Sequence, residues 1–146
     1  MRKAEKNSDG GKIGVKVEKI DHICIAVKDL SKAQKIFEDI FDLEADIAYV
    51  VEKEKIKGVR YYIGDVAFEL LESTSPDGDV AKFIESKGEG VFLISFKVPN
   101  VEAALAELRE KGVNPIDQKP RSIMGQKFAF IDHPKDLCGL LAEVIE

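Results

Sequence analysis

The sequence predicts an α+β protein in which two copies of a βαβββ unit close one cup-shaped mixed sheet. Three observations lead there. An apolar, β-type run is followed by a helical period and then by three short strand patterns; the same order returns in the second half; and the two halves align at a nearly constant shift. Val27, Lys28, Asp29 and Leu30 fall over Val98, Pro99, Asn100 and Val101, a shift of 98 − 27 = 71 residues. Glu69, Leu70, Leu71 and Glu72 fall over Glu143, Val144, Ile145 and Glu146, a shift of 143 − 69 = 74 residues. The difference of three is an ordinary change in loop length.

Taken in order, residues 1–16 are polar and broken by Asp9, Gly10, Gly11 and Gly14, the pattern of an N-terminal tail. Residues 17–146 form a single domain of two modules, about 17–75 and 88–146. The first opens with a strand over 19–27. A helix over 29–41 follows, with Leu30, Ala33, Ile36, Phe37 and Ile40 at helical spacing and Asp29 as its N-cap. Strands at 45–51, 58–63 and 66–71 complete it, the last two joined by the turn pair Gly64 and Asp65. A short helix over 79–86 links the modules. The second module runs through a strand at 91–98, a helix at 101–111 and strands near 113–116, 127–131 and 140–145.

Composition restricts the function. A chain of 146 residues with 45% hydrophobic and 34% charged residues has enough apolar material for one sizeable core. Its longest uncharged apolar runs fall far short of the roughly 20 residues that cross a bilayer. The charged start lacks the apolar stretch of a secretory signal, so a cytoplasmic location is expected. A net charge of −5, with 22 basic residues interspersed among 27 acidic ones, argues against nucleic acid as a partner. Cys24 and Cys138 have neither metal-motif spacing nor the density of a disulfide scaffold, and are expected to be reduced. With 15 Glu and 18 Lys against 6 Asn and Gln together, the composition leans towards that of thermophile proteins.

Strand alternation then selects candidate functional residues. With His22 facing into the cup, Cys24 and Ala26 share its face, while Ile23, Ile25 and Val27 face the helix layer. Leu93, Ser95 and Lys97 face inward on the partner strand. Glu69 and Glu143 take the inward face on the last strand of each module. A carboxylate in an apolar strand is costly to bury without a compensating cation or donor, and here two occur at repeat-related positions. His22, Glu69 and Glu143 together suit a divalent ion. The same glutamates are also explained by pairing with Lys97, Arg60 or Lys127, and His22 by a hydrogen bond within the core.

Several of these residues lie in longer motifs: Ile20 to Val27, Gly58-Val59-Arg60, Phe68 to Glu72, Ala81 to Ile84, Lys119-Pro120-Arg121, His133 to Asp136, and Gly139 to Glu143. In order and spacing these resemble the methylmalonyl-CoA epimerase branch of the vicinal oxygen chelate superfamily, which includes the glyoxalase I and bleomycin-resistance folds. The resemblance implies a paired βαβββ cup, a divalent metal (Co, Zn, Ni or Mn), a small-molecule substrate of the acyl-CoA kind and a homodimer. His22, Glu69 and Glu143 match the first, second and fourth metal ligands of that branch. Leu93 stands at the third, where those epimerases carry a histidine, so metal is expected to be held weakly. Tyr61 stands where some of them offer a second glutamate, and His133 matches a motif that supplies no ligand.

The implied chemistry is proton exchange at a carbon between a thioester and a carboxylate, with Glu143 as the catalytic base. Two alternatives follow from Leu93. A metal-poor, non-catalytic binding protein would use the cup and its glutamates to hold an apolar or cationic ligand. A non-haem iron dioxygenase would need two histidines and one carboxylate, the reverse of what is here. Lys119, Arg121 and Lys127, around Gly125, suit either an anionic carrier such as CoA or a solvated loop.

Overall fold

The computed structural model describes residues 16–132 and 137–146. Its elements run β1 (Lys19–Ala26), α1 (Leu30–Phe41), β2 (Ile47–Val51), a 3₁₀ turn (Glu52–Glu54), β3 (Ile56–Ile63), β4 (Val66–Ser73), α2 (Asp79–Lys87), β5 (Gly90–Lys97), α3 (Val101–Glu110), β6 (Arg121–Ile123), β7 (Gln126–Asp132) and β8 (Ala142–Ile145). Eight strands form one sheet in the order β2-β3-β4-β1-β5-β8-β7-β6, curled into a nearly closed cup. The first strand of each half pairs in parallel with the last, β1 with β4 and β5 with β8, and the halves join along the antiparallel β1–β5 seam. This is the expected paired βαβββ architecture. Among the described residues no helix is long and apolar enough to cross a membrane.

The repeat extends to how each half starts its helix. Asp29 accepts from the Lys32 amide at 3.1 Å, and Asn100 from the Ala103 amide at 2.8 Å, each satisfying one of the free amides of a first turn. The glutamate at the end of each half then reaches back: Glu72 accepts from Leu30 N at 2.7 Å and Glu146 from Val101 N at 2.8 Å. Each carboxylate thus sits at the positive end of its own half's helix.

Apolar side chains on the outer face pack in two clusters. Val27, Ala33, Val59, Tyr61 and Leu70 form the one beneath α1, and Val98, Val101, Ala104, Leu105, Ala129 and Val144 the one beneath α3. A third cluster lies on the concave face, where Cys24, Ala26, Leu71, Phe92 and Leu93 meet Val80 of α2. The linker helix therefore closes one end of the cup, and a cavity remains beside it.

One predicted strand is displaced. Residues 113–116 form no strand, and the edge strand is β6, at Arg121–Ile123. The Val113 amide closes the end of α3 on Leu108 O at 2.9 Å, and Pro115 has no amide to offer a ladder. Asp117 then ties the connection to β7, its amide donating to Phe130 O at 3.1 Å and its Oδ2 accepting from Phe130 N at 2.9 Å. The β6–β7 hairpin turns on Met124 and Gly125, both with positive φ (50° and 82°), the geometry that matches strand twist in a two-residue turn. The tail at 1–15 and the His133 to Asp136 motif lie outside the described residues.

Candidate active site

Register brings the predicted residues to the cup floor as two rows. Across β4, β1, β5 and β8, the first row is Ala67, His22, Ser95, Glu143, and the second, across β4, β1 and β5, is Glu69, Cys24, Leu93. His22, Cys24, Glu69, Leu93 and Glu143 all line one cavity of about 280 Å³. Glu69 and Glu143 are buried, at 9% and 6% exposed.

His22 and Glu143 face each other directly. Nε2 of the imidazole lies 3.2 Å from Glu143 Oε1, an ion-pair contact without the alignment of a hydrogen bond. On its other side His22 Nδ1 donates to Asp21 Oδ2 at 2.7 Å. Burial acts against a charge on His22, but Asp21, Cys24 and Glu143 around it prevail, and its pKa is raised. The hydrogen bond from His22 holds the Asp21 carboxyl below its usual range. Burial pushes the Cys24 thiol up to about 12.

Glu69 is held differently. The Tyr49 hydroxyl donates to its Oε1, and the tyrosine fits because its cross-strand partner is a glycine. A Cβ at Gly58 would lie 2.8 Å from the Tyr49 hydroxyl and ring, closer than atoms pack. Burial first, and then the Glu69 charge, raise the Tyr49 pKa, so the phenol remains a donor. Tyr49 was not anticipated. Its inward phase on β2 opposite Gly58 is the signal that could have found it.

Tyr61 departs from expectation. The Gly64-Asp65 turn pairs Ile63 with Val66, which sets Arg60 opposite Glu69 and Tyr61 opposite Phe68. Tyr61 therefore faces α1, fully buried, and its hydroxyl donates to Glu38 Oε2 at 2.8 Å. It stands outside the cavity, whereas its neighbours Arg60 and Tyr62 line it. Two of the basic loop residues are also engaged: Arg121 bonds both Glu54 and Asp117 and lies over the Phe128 and Phe130 rings, and Lys127 pairs with Glu102.

Whether these residues suit a metal ion is a matter of donors. Among the described residues no three His, Cys, Asp or Glu side chains are gathered into a ready metal cluster. Two donors nevertheless stand in place, since 3.2 Å is the separation of two ligands each about 2.1 Å from one ion. Glu143 Oε1 and Ser95 Oγ, adjacent on the same row, are buried polar atoms without a hydrogen-bond partner among the described residues. The Glu143 oxygen has the His22 imidazole beside it, and a metal cation would take the place of the imidazole's proton between the two.

The match to known proteins is extensive. Residues 21–130 match the family described as the Glyoxalase/Bleomycin resistance protein/Dioxygenase superfamily, and the chain belongs to it. Uncharacterized protein YqjC of Bacillus subtilis (strain 168) is 33% identical over 131 residues, covering 89% of this chain and 93% of its own. Human mitochondrial methylmalonyl-CoA epimerase is 28% identical over 127 residues, covering 86% of this chain and 72% of its own. A structure of methylmalonyl-CoA epimerase in complex with methylmalonyl-CoA and NH4+ superposes with a TM-score of 0.82 at 33% identity, covering 88% of this chain and 94% of that one. By both sequence and structure the chain is similar to methylmalonyl-CoA epimerases.

Proposed function

We propose that the chain exchanges the proton on the carbon between a thioester and a carboxylate in a methylmalonyl-CoA-like substrate, with Glu143 as the base. The observation that carries this is the buried Glu143 carboxylate, its Oε1 without a hydrogen bond among the described residues and 3.2 Å from the His22 imidazole, at the floor of the cavity. The resemblance to epimerases supports the substrate class.

The Glu143 carboxylate accepts the α-proton as the C–H bond breaks, and the electron pair moves onto the thioester carbonyl as an enolate. Protonation of the opposite face from solvent inverts the carbon, while a proton on Glu143 that exchanges with water and returns to the same face leaves solvent hydrogen there without inversion. Asp21 orients the His22 ring through Nδ1, which aims Nε2 at the reacting region. Leu93, Phe92 and Leu71 give the cavity an apolar wall, which strengthens charge interactions beside it. His22, Glu69 and Glu143 are the residues to hold a divalent ion (Co, Zn, Ni or Mn), which when bound supplies a Lewis acid for the thioester carbonyl. A homodimer in the cytoplasm completes the proposal.

The test is deuterium uptake at the α-carbon of methylmalonyl-CoA in heavy water, with each metal supplied in turn. Wild type exchanges, Glu143→Gln loses exchange while keeping its fold, and Glu69→Gln is milder because an amide still offers an oxygen donor. Absence of exchange by wild type with every metal overturns the proposal. It would favour the second reading, a binding protein without catalysis, for which the specific observation is the aliphatic Leu93 at the third ligand position.

A further inference from the structure

The proposed substrate carries a free carboxylate on its reacting carbon, yet the cavity that takes it is already lined by six carboxylate side chains, Glu69 and Glu143 among them. A further anion enters such a space only against a cation. Among the described residues three basic side chains line the cavity: Lys19, His22 and Arg60. His22 stands between Asp21 and Glu143. Lys19 donates to the Asp65 main-chain carbonyl and pairs with the Asp65 carboxylate at 3.4 Å. Arg60 is engaged along one edge alone. Its Nε and Nη2 lie 3.1 and 3.0 Å from the same oxygen, Asp46 Oδ2, and no partner is found for its Nη1 among the described residues.

Register sets this guanidinium beside the reacting row. Arg60 on β3 is the cross-strand neighbour of Glu69, so it extends the second row of the cup floor, Glu69, Cys24, Leu93, by one strand, next to the row of His22 and Glu143. Glu69 itself is taken by the Tyr49 hydroxyl. The Tyr62 ring, two residues along the same face, lies 5.5 Å from Arg60 Cζ, and with Asp46 it holds the planar group in one orientation. At 26% exposed the side chain remains within reach of a ligand. Its remaining N–H donors form the fork that matches a carboxylate, and little further ordering is needed to use them. Taking the substrate class from the proposed function, we infer that Arg60 binds the free carboxylate of the acyl group and so selects thioesters that carry one. The thioester carbonyl is left to the His22, Glu69 and Glu143 side of the cavity, so the two ends of the reacting unit have different partners. The Arg60 charge also offsets the negative charge that develops beside the carboxylate as the α-proton leaves.

Calorimetric titration of the full chain with methylmalonyl-CoA and with propionyl-CoA tests this, because the two differ only in the carboxylate and share every phosphate. Each titration is run with chelator and again with zinc. With chelator present, wild type is expected to bind methylmalonyl-CoA about tenfold or more tightly than propionyl-CoA, the worth of a charge-assisted pair. Arg60→Gln loses that preference and keeps its affinity for propionyl-CoA, which also reports that the variant is folded. Arg60→Lys, a cation without the fork, retains part of it. Equal affinity of wild type for the two thioesters overturns the inference without reference to any variant. A preference unchanged in Arg60→Gln, or one present only with zinc, also overturns it, the latter because the carboxylate then goes to the ion. A preference that follows Arg60 in a chain that exchanges no deuterium upholds the anchor and removes the catalysis. Wild type that takes up neither thioester under either condition removes both.

Discussion

Replacing Ser95 by alanine should make this protein more stable. Ser95 lies on β5 between His22 and Glu143, fully buried, and its hydroxyl has no hydrogen-bond partner among the described residues. Withdrawing a hydroxyl from water without a compensating bond costs about 1–3 kcal/mol. Deleting Oγ removes that penalty and leaves a void of roughly 10–20 Å³, which costs back about 0.5 kcal/mol at most. The net is a gain of about 1 kcal/mol, or roughly 3 °C in Tm for a chain of this size. Had the hydroxyl been satisfied, the same change would cost about 1 kcal/mol, so the two cases differ in sign. Urea denaturation of the metal-free protein decides between them through the transition midpoint at constant slope. A destabilised Ser95→Ala would refute the argument that the cup floor carries unsatisfied polar groups, and with it the idea that stability is sacrificed there for a ligand.

Leu93→His should tighten Co²⁺ or Zn²⁺ binding, since an imidazole at that position adds a donor next to Cys24 in register; equal affinity of the two forms in a competition titration would contradict it. Tyr61→Phe should lower stability by about 1 kcal/mol through loss of the hydrogen bond to Glu38, yet leave metal affinity and proton exchange unchanged, because the ring faces α1. Asp77, at a pKa of about 2 through its bonds from Lys55 and Ser75, contributes stability above its ordinary value of 3.8 that is lost as pH falls towards 2. Its carboxyl carbon should titrate near 2 by NMR, and Lys55→Ala should move that midpoint upwards.

Much of this protein was legible in the sequence because its local signals agree. Strand alternation has a period of two, so once His22 was assigned inward Cys24 followed, the repeat alignment carried the same phase to Leu93 and matched Glu69 with Glu143, and all five line the cavity. The helix caps Asp29 and Asn100 act within one turn, and the two-residue turn at Gly64-Asp65 depends on adjacent residues alone. The displaced strand shows where local signals stop. Val113 and Ile116 have strand-forming side chains, but the fate of the segment was settled by Pro115, by the end of α3 and by the bonds from Asp117 to β7. Tyr61 is the intermediate case, since its outward direction was implicit in the turn and in the pairing of Arg60 with Glu69. Tertiary structure alone decided which side chains meet across strands: that Ser95 separates His22 from Glu143, that Gly58 admits Tyr49 to Glu69, and that Cys24 stands opposite Leu93. Alternation assigns each residue to a face, whereas neighbours on that face are set by register between segments tens of residues apart. The β1–β5 pairing shifts between Ile20 and His22 and again between Cys24 and Ile25, and such irregularities arise only when the whole cup is assembled.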